Sequence, residues 1–186
     1  SRGRGTSAGS RIFGQAFGGE DEGRGTDLCV GDEMANERPT RLMIDGWCSL
    51  AVPTGWAWNQ EEGITSVYRE AEPQGALNIS LYFRRGQGQP PSRPELVEYA
   101  RKLARALGNP VETNAVGIEP VGQGEGSYVQ LRDNLGDRWR IWHTGAVGRV
   151  VCLAYQQPVE SSDQEHEDVE RMVRSFQWLE EKPVDL

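Results

Sequence analysis

Histidine and cysteine supply most catalytic and metal-binding side chains, and this 186-residue chain holds two of the first and three of the second. His143 is in register with Trp139 and Ile141 on a strand-like pattern. A catalytic histidine needs a nucleophile and an orienting group in contact with it. The chain has no nucleophile-elbow pattern, and nothing in its spacing ties a serine to His143. A packed strand histidine and a catalytic base both stay open there, the second without a motif behind it. His166 falls in an acidic helical stretch and is expected in solvent. Cys29, Cys48 and Cys152 lack the short spacing of a metal site. Cys48 and Cys152 lie inside apolar strand patterns and read as buried thiols. Cys29 and Cys48 are open to pairing in an oxidising compartment, which leaves one cysteine over.

Two further patterns fail on inspection. Gly122-Gln123-Gly124-Glu125-Gly126 has the glycine density of a phosphate loop. A phosphate cradle needs a strand before the glycines and a helix N-terminus after them; here a strand follows, and Glu125 would repel phosphate, so the run reads as the approach to a hairpin. The carboxylates cluster near the two ends of the chain, where they read as solvated faces and helix-dipole partners. No loop carries the alternating oxygen ligands of a calcium site. The reading is a non-enzymatic chain with no cofactor and no metal.

The remaining constellation is aromatic and cationic. Arg138, Arg140 and Trp142 share one face of a strand, Trp56 and Trp58 project from one side of another, and Tyr82 and Arg84 extend from a third. Trp, Tyr and Arg are the residue types that dominate protein-interface hot spots. These seven residues form a candidate docking face; the alternative is that helices cover the face and the rings are core.

The elements that position them follow from periodicity. Arg41–Ile44 and Trp47–Val52 read as strands about Asp45-Gly46, a dipeptide suited to the positive φ angles of a two-residue hairpin turn. Ile64–Arg69 and Ala76–Arg84 are further strands, the second with Leu77, Ile79, Leu81 and Phe83 pointing one way. Ser92-Arg93-Pro94-Glu95 is a capping box. Leu96, Tyr99, Ala100, Leu103 and Leu107 follow at helical spacing, with Gly108 and Pro110 as the stop. A strand about Val111–Ile118 and a meander of Ser127–Arg132, Arg138–Thr144 and Arg149–Gln156 come next. The last helix is expected from Ser161 or Ser162, with Glu167–Arg171 and Glu170–Arg174 as i,i+4 pairs. A short edge strand over Gln177–Leu179 closes the pattern. Strands, helix, strands, helix give an α+β protein, an antiparallel sheet flanked by helices.

Composition divides the chain. Residues 1–39 hold nine of the 23 glycines, no Trp or Tyr, and six large apolar residues: Ile12, Phe13, Phe17, Leu28, Val30 and Met34. Such a segment cannot offset its backbone entropy alone and is expected to be an extended arm, disordered unless partner-bound. It reads either as a solvated tail or processed remnant, or as an arm that orders on a partner with Phe13 and Phe17 as anchors. Residues 40–179 form the expected domain, and 180–186 an acidic tail. The net charge of −8 and the pI near 4.9 argue against a general nucleic-acid binder. No apolar run reaches the length of a membrane-spanning helix.

Leu50-Ala51-Val52-Pro53-Thr54-Gly55-Trp56 resembles the opening of PsbP-like domains, a strand ending in Pro-x-Gly-Trp. Gly75-Ala76-Leu77-Asn78-Ile79-Ser80-Leu81-Tyr82 is similar to the family's small-residue entrance to a long amphipathic strand. The helix from Ser92 to Leu107, the later meander and Ser175-Phe176 keep the same order, so the resemblance covers roughly residues 42–178. It implies an α/β/α sandwich without catalytic apparatus. Its relatives include photosystem accessory subunits, a Ran-binding nuclear-transport factor, the envelope protein DcrB and DcrB-like adaptors that chaperone secreted effectors. The acidic surface motif of the transport factor and the lipid-attachment site of DcrB have no match here. The expected function is a protein-binding accessory subunit or adaptor of a larger assembly, docking by the sheet face and the arm. The alternatives are a dimeric DcrB-like effector chaperone, and an enzyme with an unrecognised pocket using His143.

Overall fold

A computed structural model describes residues 39–84, 88–161 and 163–179. The acidic tail, and the N-terminal arm up to residue 38, lie outside the described residues. The described chain is α+β: ten strands in two antiparallel sheets, with two helices.

The described residues open with the expected hairpin. β1 (Thr40–Ile44) and β2 (Cys48–Val52) are joined by Asp45-Gly46, both at positive φ (49° and 73°), and Trp47 N–H closes the turn on the Ile44 carbonyl at 2.9 Å. β3 (Trp56–Glu61), β4 (Ile64–Arg69) and β5 (Ala76–Phe83) form a meander. After α1 come β6 (Gly117–Val121), β7 (Gly124–Arg132), β8 (Arg138–Ala146) and β9 (Arg149–Gln157), then α2 and β10 (Gln177–Trp178). The large sheet has the order β3-β4-β5-β9-β8-β7-β6, and the small one β1-β2-β10. β9, the central strand, is covered on both faces, so Val150 to Tyr155 are all buried and its sequence is a continuous apolar run rather than an alternation.

α1 (Arg93–Ala106) starts as its sequence dictates: Ser92 N–H and O–H both donate to Glu95 Oε2, at 2.7 and 2.8 Å. Ala100, Ala104 and Leu107 bury against Val129, Leu131, Trp139, Ile141, Cys152 and Ala154 on one face of the large sheet. The opposite face packs Leu77, Ile79, Trp142 and Leu153 against Leu42, Ile44, Leu50 and Val52 of the small sheet and Val169, Met172, Val173 and Phe176 of the α2 segment. The layer opposite α1 is thus a helix plus a small sheet, a fuller cover than the helix alone implied by the sequence reading. No described helix is long and apolar enough to cross a membrane.

Three expectations shift. The strand placed at 111–118 is β6, at Gly117–Val121, because Thr113–Ala115 forms a 3₁₀ turn after Pro110; Pro120 is tolerated because β6 is an edge strand. α2 runs His166–Arg174, several residues later than expected, and begins on Glu165. That carboxylate is wholly buried: Tyr155 O–H donates to Oε2 at 2.9 Å and Gln74 N–H to Oε1 at 2.8 Å. Arg171 pairs with Asp168 rather than with the Glu167 carboxylate, while Glu170–Arg174 forms as expected at 3.1 Å.

Removing the Glu165 carboxylate leaves a buried hydroxyl and a backbone amide without an acceptor. Each such loss costs about 1–3 kcal/mol, so Glu165→Ala should lower the unfolding free energy by about 3 kcal/mol, and Tyr155→Phe by about 2 kcal/mol. Denaturant titration checks both.

His143 lies beneath α1, 3% exposed, its ring 6.0 Å from that of Tyr99. Burial pulls its pKa from 6.5 down to about 4, so the unfolded chain takes the proton first. The His143 contribution to stability is intact above pH 6.5 and is lost as pH falls toward 4, reaching about 3 kcal/mol. His166, lowered chiefly by burial and by the Arg140 charge, acts in the same direction. Unfolding free energy measured from pH 7 to pH 4 should therefore fall, and His143→Gln should flatten the curve.

Candidate functional site

The residues proposed from sequence as a docking face do not form one. Trp142 is 3% exposed and Trp56 6%. Trp142 packs on Tyr128 at 5.3 Å and donates its indole N–H to Glu119 Oε2 at 3.3 Å. The Trp56 indole donates to Asp168 Oδ2 at 3.1 Å. Both rings are core, because α2 and the small sheet cover the face they occupy, and each buried N–H has an acceptor, as burial of Trp requires. Arg138 donates to Asp163 Oδ1 at 2.7 Å and to the Ser161 carbonyl at 2.6 Å. Arg140 meets Glu170 Oε1 at 3.3 Å and His166 Nδ1 at 2.9 Å. Both guanidiniums tie the α2 segment to β8. His166, expected in solvent, is accordingly half-buried, its Nε2 3.0 Å from Gln157 Oε1. Arg84 pairs with Glu95 of α1 and reaches the Gln89 carbonyl at 3.2 Å. Trp58 (42% exposed) and Tyr82 (47%) are open to solvent, but by register they occupy opposite faces of the large sheet. Phe13 and Phe17 lie outside the described residues.

What converges instead is one end of the sandwich. Trp47 follows the β1–β2 turn, Phe83 ends β5, Arg149 begins β9 and Trp178 lies on β10. Phe83 and Arg149 are cross-strand partners. The Phe83 ring stands edge-on to Trp47, 5.9 Å between centroids, and the Arg149 guanidinium lies 4.4 Å from the Trp47 ring centre and 5.6 Å from that of Trp178. Leu179 N–H donates to the Trp47 carbonyl at 2.9 Å, fixing β10 beside the turn. Phe83 is 62% exposed. Its face was read correctly from the alternation, but β5 runs past the layer that buries Leu77 and Ile79, so the last ring of the stripe emerges into solvent. Val147 is exposed in the adjacent β8–β9 turn, whose Gly148 carbonyl accepts the Arg84 N–H at 2.7 Å. The signal for this cluster was the termination of an apolar stripe at a strand end; its partners, 47, 83, 149 and 178, share no sequence spacing.

A cavity of about 360 Å³ adjoins the cluster and shares Trp178 with it; Val121, Gln123, Thr144, Phe176 and Gln177 are among its other lining residues. The glycine-rich run forms part of this rim as the β6–β7 turn, as expected. Gly122 sits at φ 59°, and a Cβ there would lie 1.8 Å from the Phe176 carbonyl oxygen. Its requirement is close approach to the segment leaving α2. At the rim, Arg93 holds Glu125 with two N–H donors, at 2.9 and 2.7 Å.

His143, Cys48 and Cys152 are all buried away from this surface. His143 faces Ser127 and Cys152 across the sheet under α1. Burial holds the imidazole pKa near 4 and pushes the Cys152 thiol up to about 12, so the row offers neither an accessible base nor a thiolate, and the enzyme reading built on His143 loses its base. Cys48 is a buried free thiol, likewise raised to about 12; Cys29 lies outside the described residues. Among the described residues, no three His, Cys, Asp or Glu side chains are grouped to hold a metal ion. The exposed aromatic end is suited to packing another apolar surface.

No protein-family model matches the chain, and no curated protein sequence matches it. Solved structures do. The solution structure of cyanobacterial PsbP (CyanoP) from Synechocystis sp. PCC 6803 superposes with a TM-score of 0.54 at 11% identity, covering 82% of this chain and 98% of that one. A crystal structure from Bacteroides thetaiotaomicron VPI-5482 superposes with a TM-score of 0.54 at 16% identity over 78% of this chain. This chain spans half the length of that protein. Identities this low speak to fold alone, and the fold is PsbP-like.

Proposed function

We propose that the protein is a non-enzymatic accessory subunit that binds a partner protein through the aromatic end of its sandwich. The observation that carries this reading is Phe83: a phenylalanine ring 62% exposed, braced edge-on by Trp47, which is in turn stacked on Arg149. Exposed aromatics normally cost solubility, and a ring held rigid beside other rings loses little conformational entropy when a partner covers it. Trp and Arg clustered about an apolar anchor is the composition of an interface hot spot. The neighbouring cavity offers room for one large partner side chain. Trp58 and Tyr82, each exposed alone on its own face, take no part.

Phe83→Ser should leave the thermal midpoint nearly unchanged, since an exposed side chain contributes within about 0.5 kcal/mol, yet weaken partner binding by about 2 kcal/mol, roughly thirty-fold. The measurement is quantitative co-purification from native extract, wild type against Phe83→Ser, with Trp58→Ser as the exposed-aromatic control. Recovery of the same proteins in the same amounts by all three would overturn the reading.

A further inference from the structure

The same surface has a candidate occupant within the chain, and the inference deepens the docking reading by giving the site a means of regulation. The geometry points to the segment containing Ile12, Phe13 and Phe17 as an intramolecular ligand of the Trp47–Phe83 cluster, one that a partner must displace.

Three observations carry it. First, 38 residues precede the described chain, which begins at Pro39 directly before β1. β1 leads through a two-residue turn to Trp47, so that segment attaches one strand length, roughly 16 Å, from the cluster. Second, its reach is ample. Twenty-one residues separate Phe17 from Pro39, enough to span up to roughly 70 Å, whereas a domain of this size has a radius of gyration of about 14 Å. Third, the chemistry matches. Phe13 and Phe17 are the two aromatic residues of 1–38; Ile12 and Phe13 lie between Arg11 and Gly14, and Phe17 between Ala16 and Gly18. Gly14 and Gly18, directly after the two rings, let them enter a shallow apolar surface without steric conflict, and the cluster on the domain presents the exposed Phe83 with the partly buried Trp47 against it.

The expected occupancy follows from the tether. A segment linked by some twenty residues meets its site at an effective concentration of about 1 mM. Two phenylalanines partly buried on an aromatic surface reach a dissociation constant of that order. The tethered segment therefore fills the site about half the time or somewhat more. That is enough to shield the exposed ring, and too weak to exclude a partner of micromolar affinity. Removing the anchors should raise the affinity for any other ligand of the cluster by the reciprocal of the free fraction, about two-fold or more.

The test is made on the full chain. Heteronuclear NMR spectra of wild type and of Phe13→Ser/Phe17→Ser are compared at the Trp47 indole N–H, which is assigned with Trp47→Phe. The expected result is a shifted Trp47 resonance in the double variant, and about two-fold tighter binding of the dye 1-anilinonaphthalene-8-sulfonate that Phe83→Ser abolishes. An unmoved Trp47 resonance overturns the proposal. So does a shift that scales with protein concentration, since a second copy would then be the occupant. The two readings fail separately. Loss of partners in Phe83→Ser with an unmoved resonance leaves the docking surface standing and removes the internal ligand. A moved resonance with partners retained in Phe83→Ser does the reverse.

Discussion

The carboxylate of Glu165 has no access to water, and α2 begins on it. Taking a carboxylate out of water is costly unless donors replace the lost hydration. Here the Tyr155 hydroxyl of β9 and the Gln74 amide supply them. The Tyr155 hydroxyl, buried and donating to a carboxylate, is held far above the usual phenol range. This constraint ties the N-terminus of α2 to the central strand and to the β4–β5 connection. The rest of that layer then has little freedom. Val169, Met172 and Val173 must face the large sheet, Phe176 must pack there after the helix ends, and β10 must pair with β2 as it does.

The aromatic end is a consequence of that placement. Trp178 stands beside Arg149 only because β10 follows α2 at this position, and Trp47 is held there by the Leu179 amide. Gly122 completes the arrangement by letting the β6–β7 turn approach the chain between α2 and β10, closer than any side chain would permit. Stability and the exposed surface are thus coupled through one segment, residues 165–179. A change that loosens α2 also disperses the cluster, while a change at Phe83 touches the cluster alone.

Burial also separates reactive chemistry from the surface. The row Ser127–His143–Cys152 contains residue types found in nucleophilic catalysis, and the register puts them on adjacent strands. Under α1 the same residues serve as core, because low polarity disfavours both imidazolium and thiolate. Residue type and adjacency describe a site only when solvent and substrate can reach it.

Much of the architecture was legible in the sequence. β4 and α1 fall where alternation, the capping box and Gly108 put them, because period and caps are local properties, set by residues within a few positions of one another. The Asp45-Gly46 turn and the strand character of residues 127–132, just after the glycine-rich run, are local in the same sense. Alternation also assigned Trp142 and Phe83 to the correct face of their strands. It could not say which became core and which surface, since that depends on what lies opposite. The indole of Trp56 finds its acceptor on Asp168, 112 positions away, and Phe83 is exposed because the small sheet ends before β5 does. The start of α2 escaped for the same reason: Glu165 is chosen by a tyrosine on another element, with no cap in its own sequence. Sequence by itself determined the periods, the turns and the α+β class. Only the tertiary structure decided which aromatic rings are buried and which stand open, because burial is a property of neighbours that the chain brings together from its far ends.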